Sequence, residues 1–349
     1  MSAATSSRIP ARVRRFRAFF RGIALWIERT LTQTTITGQE NLPAQGPVIF
    51  APNHASTYDA VLLITHLPEE TELVGPGDFP LLFPANVLIA LGGIVRIRRA
   101  SLDRDSLKLM SSALERGLNL ALFPEGGTWE KRVTDVKAGV AYLSAQHGVP
   151  VVPVSFGGTY RVWEKIIRLQ RPHIHIHFGE PMPPVVIADR RERADALHRA
   201  SIALMERIYA HLPPTDQARY DIAARQVFHG RIQALDAELE DAAPDFPVLA
   251  ELVSKPNLLS PLWRNARLPL RPLLAIDRAH PASAFVIAAE RLASAFAGAY
   301  SGYLDYRLGA EKAAAADSEL AALRALALSA HQRGLRLRFV PSVEYTAAG

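Results

Sequence analysis

An imidazole and a carboxylate stand five residues apart in Asn53-His54-Ala-Ser56-Thr-Tyr-Asp59, where an apolar strand gives way to a helical pattern. Residues at that spacing do not share a face of a regular helix. They meet if His54 lies in the entry turn and Asp59 in the first helical turn. An Asp so placed fixes one imidazole nitrogen and leaves the other as a base, the orienting logic of a catalytic dyad. Alone the pair is weak ground, since most His/Asp pairs at this spacing are incidental. A second segment, Leu122-Phe-Pro124-Glu125-Gly126-Gly127-Thr128, also ends an apolar strand. A Pro-Glu-Gly-Gly turn leaves a carboxylate at the sheet edge and offers backbone N–H groups. An ordinary tight turn accounts for the glycines but not for the Glu. A third, Gly92-Gly93-Ile-Val-Arg96-Ile-Arg98-Arg99, delivers guanidinium groups near the same edge, or only solvated arginines on an edge strand. A fourth, Val149-Pro150-Val-Val-Pro153-Val, signals packing. Cysteine is absent, which removes disulfides, thiolate metal sites and cysteine nucleophiles together.

The elements that must position these groups alternate in type from Thr34 to about Pro184. Pro47 to Ala51 reads as a buried strand ending at Pro52, and Tyr58 to His66 as an apolar helix. A Pro- and Gly-rich stretch from Gly75 to Pro84 interrupts before Asn86 to Leu91. Strands are expected at Ile94 to Arg98, Leu118 to Phe123 and Val149 to Phe156, with helices at Asp103 to Arg116 and Ala138 to His147. That rhythm predicts an α/β fold, a central mixed sheet flanked by helices. His173-Ile-His-Ile-His177 closes it as the last strand. Three His at alternate positions suggest a metal, but a half-exposed strand explains them more simply and no carboxylate follows at ligand spacing. No metal site is expected.

In this order the four segments resemble the lysophospholipid acyltransferase family, the 1-acyl-glycerol-3-phosphate (PlsC-type) acyltransferases and their relatives. That family shows N-H-x-x-x-x-D, then G-x-x-x-x-x-R, then F-P-E-G, then a Pro-containing hydrophobic strand. Lys137-Ala-Gly139 and Phe178-Gly-Glu-Pro181 extend the likeness, which covers roughly residues 34–212. The ordered combination is specific, although each motif alone is not. The resemblance implies transfer of a fatty acyl group from a coenzyme A or acyl-carrier-protein thioester to a lysolipid hydroxyl, in phospholipid biosynthesis. His54 would be the general base and Asp59 would hold its tautomer. Attack would be direct, without an acyl-enzyme, in keeping with the missing cysteine and the missing G-x-S-x-G elbow. Arg98 or Arg99 would bind an acceptor phosphate, because Gly92 pairs with Arg98 and Gly93 with Arg99 at the family spacing. Glu125, Gly126, Gly127 and Thr128 would position the glycerol part. No cofactor and no metal are implied. The family often continues F-P-E-G-T-R-S, whereas Gly127-Thr128-Trp129 stands here. The acceptor is therefore open between 1-acyl-glycerol-3-phosphate and another lysolipid or glycolipid. A non-catalytic lipid-binding scaffold is the reading from another class, opposed by the intact motif residues.

The remainder of the chain bears on partners. Of 349 residues 49% are hydrophobic and 21% charged, which excludes a disordered or fibrous protein. A net charge of +6 points to an anionic partner. No run reaches the length of a spanning helix. In the first thirty residues seven Arg face one acid, Glu28, and Phe16, Phe20, Ile23, Ile27 and Leu31 recur at helical spacing with Phe19 and Trp26 at the flanks. Arg14, Arg17, Arg21 and Glu28 are expected on the opposite face. Residues 1–33 thus read as an amphipathic membrane-interface helix, with a helix docked on its own domain as the alternative. A peripheral enzyme on anionic lipid at the cytoplasmic face is expected, and no nucleic-acid module is recognisable. Residues 34–212 form the acyltransferase domain in this reading. Residues 213–349 are Ala-, Leu- and Arg-rich and are expected to be a mainly helical accessory domain, with one long helix over Ala310 to Gly334. Its role and the oligomeric state are not legible.

Overall fold

The computed structural model describes residues 9–44, 46–77, 85–97, 104–128, 137–235, 244–255, 258 and 267–347. They form two compact units, one within residues 1–221 and one within 222–349.

In the first unit seven strands make one mixed sheet: β1 (Gln33–Thr37), β2 (Ile49–Pro52), β3 (Thr71–Pro76), β4 (Val95–Ile97), β5 (Asn119–Ala121), β6 (Val151–Gly157) and β7 (His173–Phe178). Their order is β1-β7-β6-β2-β5-β3-β4. Strands β6, β2, β5, β3 and β4 run parallel, with Phe50 opposite both Ala121 and Val152, so their carboxyl ends share one edge. Strand β7 turns antiparallel against β6, and β1 runs parallel to β7. Helices α1 (Ala11–Leu31), α2 (Tyr58–His66), α3 (Ala85–Leu91), α4 (Arg104–Glu115), α5 (Gly139–His147), α6 (Val162–Ile167) and α7 (Arg193–Ala210) cover it. The unit runs past Leu212 into α8 (Pro214–Ala224).

The central strands are apolar throughout because both of their faces are buried. Ile49, Leu120 and Val151 pack with Met110 and Leu143, whereas Phe50, Ala121 and Val152 pack with Tyr58 and Leu62. Burial of each large side chain among these contributes about 1.5–3 kcal/mol. Strand β3 was not anticipated. Its four buried residues run straight into Gly75-Pro76, and the turn residues hide the strand.

Helix α1 is amphipathic, but its orientation corrects the expectation. Arg17 and Glu28, expected on the free polar face, are buried against the domain. Arg17 donates to the carbonyls of Thr71 (2.7 Å) and Gly92 (2.8 Å), and Arg21 to those of Ile64 (2.8 Å) and Leu67 (2.5 Å). Glu28 lies 3.0 Å from His66 Nε2. Burial pulls the Arg17 guanidinium below its usual pKa, with Glu72 and Glu70 opposing the shift. Turned outward instead are Phe19, Ile23 and Trp26, which are 68%, 43% and 66% exposed.

The second unit holds α9 (Pro247–Ser254), α10 (Arg271–Leu274), α11 (Ala282–Ala297), α12 (Tyr303–Leu308) and α13 (Ala310–Gln332). Helix α13 is the long Ala-rich helix expected there. Its Glu319 accepts the backbone N–H groups of Val248 and Leu249, each at 2.9 Å, and so satisfies the open start of α9. The unit is helix-rich, yet it also carries an unanticipated antiparallel sheet of β8 (Gln226–Ala234), β10 (Arg336–Tyr345) and β9 (His280–Pro281), in the order β8-β10-β9.

Candidate active site

Strand β2 is the middle strand of the sheet, and its carboxyl end is where crevices form in open α/β sheets. Pro52 has no N–H to continue the ladder. Asn53 takes over: its amide donates to the Phe156 carbonyl (3.0 Å) and accepts the Phe156 N–H (2.7 Å). The chain is thereby clamped to β6 just before His54. Four residues on, α2 begins, and Asp59 lies in its first turn, where the helix dipole favours a negative charge.

Asp59 is fully buried, and one of its oxygens does three things. Oδ2 accepts the backbone N–H of Ala55 (2.7 Å), that of Ser56 (2.8 Å), and lies 3.0 Å from His54 Nδ1. With Nδ1 so held, the proton-accepting nitrogen is Nε2, which has no protein partner among the described residues. The imidazole is 15% exposed, which leaves it open to a ligand. The Phe123 ring lies on it, centroids 3.8 Å apart and planes within 10°, and fixes its tilt. The expected meeting of His54 and Asp59 is found.

Glu125 follows β5, next to β2. The Gly126 N–H donates to the Phe123 carbonyl at 3.0 Å, closing a turn with Pro124 at its second position, and Gly126 takes a positive φ of 71° that a side chain would strain. This turn sends Glu125 inward. Its Oε2 accepts the backbone N–H of His54 (2.9 Å) and its Oε1 the Tyr209 hydroxyl of α7 (2.8 Å). Burial pushes the carboxyl pKa up to about 8; the bonds from Tyr209 and His54 work against that shift, and nearby Asp59 adds to it. At neutral pH Glu125 therefore keeps its proton, and the pocket avoids a second buried negative charge beside Asp59. Arg219 of α8 contributes a favourable field to Glu125, its guanidinium held over the Tyr160 and Tyr220 rings at 4.4 and 4.1 Å.

Gly126, Gly127 and Thr128 continue the same turn, with Gly127 buried and Thr128 half-buried. Arg98 and Arg99 lie outside the described residues, as do Trp129, Lys131 and Arg132. Strand β4 runs as far as Ile97, opposite Pro76. His173, His175 and His177 share one face of β7, and His177 stacks on His211 at 4.0 Å. Tyr209, Phe123 and the clamp by Asn53 were not assigned roles from sequence. For Tyr209 a signal exists: it falls on the buried stripe of α7 with Leu204, Met205 and Ile208, where a hydroxyl needs a partner.

An acyltransferase family model matches residues 33–157, which contain both motifs just described. Human 1-acyl-sn-glycerol-3-phosphate acyltransferase beta is 27% identical over 179 residues, covering 49% of this chain and 63% of that protein. A probable 1-acyl-sn-glycerol-3-phosphate acyltransferase of Mycoplasma pneumoniae is 26% identical over 191 residues, covering 49% of this chain and 70% of the relative. The crystal structure of the 1-acyl-sn-glycerophosphate (LPA) acyltransferase, PlsC, of Thermotoga maritima superposes with a TM-score of 0.43 at 20% identity, over 57% of this chain and 82% of that one. The chain thus spans under two thirds of the human relative's length, and the family-model match lies within the first half of this chain. The likeness to the acyltransferase family is carried by residues 33–157.

Proposed function

We propose that the chain is an O-acyltransferase that moves a fatty acyl group from an acyl thioester to the hydroxyl of a glycerol-phosphate-type lysolipid, 1-acyl-glycerol-3-phosphate first among them, in phospholipid synthesis. The observation that carries this reading is the His54–Asp59 pair, with Nδ1 held at 3.0 Å and Nε2 left for a substrate. His54 Nε2 takes the acceptor hydroxyl's proton as the oxygen bonds to the thioester carbonyl carbon. The tetrahedral adduct collapses with cleavage of the C–S bond, and the departing sulfur takes the proton from the imidazolium. Asp59 stabilises that imidazolium and keeps its orientation. Glu125 is a positioning residue in this scheme, since both oxygens are used within the protein and it acts through the His54 main chain. Gly126, Gly127 and Thr128 line the approach of the glycerol part, and Arg98 or Arg99 receives the acceptor phosphate.

The donor carrier is coenzyme A or an acyl-carrier protein. Among the described residues no helix is long and apolar enough to cross a membrane. The outward Phe19, Ile23 and Trp26 of α1 support a peripheral attachment to anionic lipid, which we place at the cytoplasmic face. The test is a panel of acyl thioesters against lysolipid and glycolipid acceptors, read by lipid mass spectrometry. We expect an acylated lysolipid with the native chain and a fall in kcat on the order of 100- to 10,000-fold in His54→Ala. An equally active, folded His54→Ala chain would overturn the mechanism, and no product from any pair would overturn the enzyme reading.

A further inference from the structure

The second unit carries a cleft of about 760 Å³ where β9, β10 and the start of α10 come together. Among the described residues Arg271, Arg278, Arg336 and Arg338 line it, along with His280 and a single acid, Asp277. Arg336 and Arg338 are two apart on β10 and so point to one side of the sheet. His280, which stands opposite Leu337 on the neighbouring strand, also lines the cleft.

Among the described residues the charges in this cleft are not balanced. Asp277 meets Arg278 at 3.4 Å. Arg336 donates to the Ala279 carbonyl (2.7 Å) and Arg338 to the Gln233 side chain (2.6 Å), both uncharged acceptors. The Arg271 side chain has no hydrogen bond or ion pair among the described residues. Arg338 Nε and His280 Nε2 are buried atoms with no hydrogen-bond partner among the described residues. Among the described residues, four guanidinium charges against one carboxylate leave three positive charges around one concavity. Such convergence is unfavourable unless an anion completes it. Guanidinium forks match phosphate oxygens in pairs, and the volume is that of a small-molecule site.

We propose that this cleft binds a multiply charged phosphate group, a phosphomonoester or a diphosphate, carried by a soluble small molecule or by a lipid headgroup. A lone carboxylate would leave most of the charge unmet, whereas a diphosphate brings two to three negative charges in the right spacing for several forks. The cleft is built from residues of the second unit and His54 belongs to the first, so the proposal does not depend on acyl transfer.

The experiment uses the full chain, with inorganic pyrophosphate followed by calorimetry, and phosphatidylcholine vesicles with and without phosphatidic acid followed by sedimentation. Arg271 and Arg336 are both exposed, so Arg271→Gln with Arg336→Gln leaves the core alone. We expect pyrophosphate to bind the native chain and the double variant to bind it at least about tenfold more weakly, at an unchanged melting temperature. The corresponding double lysine variant, which keeps charge but not the fork, should fall between the two. His54→Ala should bind as the native chain does. If pyrophosphate fails but phosphatidic acid adds vesicle binding that the double Gln variant loses, the headgroup is the source. Native binding of neither probe, or equal binding by the double Gln variant, overturns the proposal.

Discussion

At the scale of single residues, a carboxyl that keeps its proton to about pH 8 makes stability depend on pH in a definite sense. The Glu125 pKa is raised on folding, from about 4.5 to about 8. Its contribution to stability is therefore fully present below about pH 4.5 and is lost as the pH rises through about 8. Glu125→Gln keeps a neutral group of similar shape and removes the ionisation. Thermal melts from about pH 5 to about pH 9 should show the native chain losing stability more steeply than this variant. Parallel curves would mean that Glu125 is already ionised in the native state. The His54–Asp59 pair was legible in the sequence because six contiguous residues fold locally into one turn. The role of Glu125 was not, because its partner Tyr209 lies 84 residues away and its environment is set by burial. Residue type announced a carboxylate at the sheet edge; packing decided that it would be neutral and turned inward.

At the scale of elements, α1 has two unlike faces. The face holding Arg17, Arg21 and Glu28 is latched to backbone carbonyls and to His66, and the face holding Phe19, Ile23 and Trp26 is free. Phe19→Ser with Trp26→Ser should leave unfolding stability within about 0.5 kcal/mol of native, as surface changes do, while releasing the chain from vesicles of anionic lipid. Arg17→Gln should do the reverse. It strands buried carbonyls of Thr71 and Gly92, costs about 1–3 kcal/mol in urea unfolding, and leaves vesicle binding in place. Cosedimentation of the Phe19/Trp26 variant equal to native would place membrane contact elsewhere. The helical period was readable from sequence. The facing was not, since burial of an arginine face depends on carbonyls exposed at the ends of other elements. Strand β3 was missed for a related reason: a buried central strand needs only a few apolar residues, and Leu73-Val74 is short beside Gly75-Pro76.

At the scale of the whole molecule, the catalytic candidates all fall in the first unit, and that unit includes α8. Asp216 accepts the Gly158 N–H at 2.8 Å, and Tyr220 packs into the core with Tyr209. A chain ended after Ala224 should therefore stay folded and keep acyl transfer. One ended after Leu212 should lose about 3 kcal/mol or more, since a large buried aromatic goes with α8. Urea unfolding of the two fragments checks this, and equal stability would show that α8 is dispensable. The second unit was read as helical because β8 and β10 lie about a hundred residues apart and each carries polar residues at alternate positions, as in Arg336-Leu337-Arg338-Phe339. Their pairing has a further consequence. Gln226 stands opposite Tyr345, and the Thr346 N–H bonds to the Arg225 carbonyl at 3.0 Å, so this unit enters and leaves at one point. Paired residues on antiparallel strands are about 5 Å apart, a gap that one or two residues bridge. The unit is thus a cassette in the engineering sense: its ends can be joined and its chain reopened at an exposed turn, giving a circular permutant that keeps every strand partner.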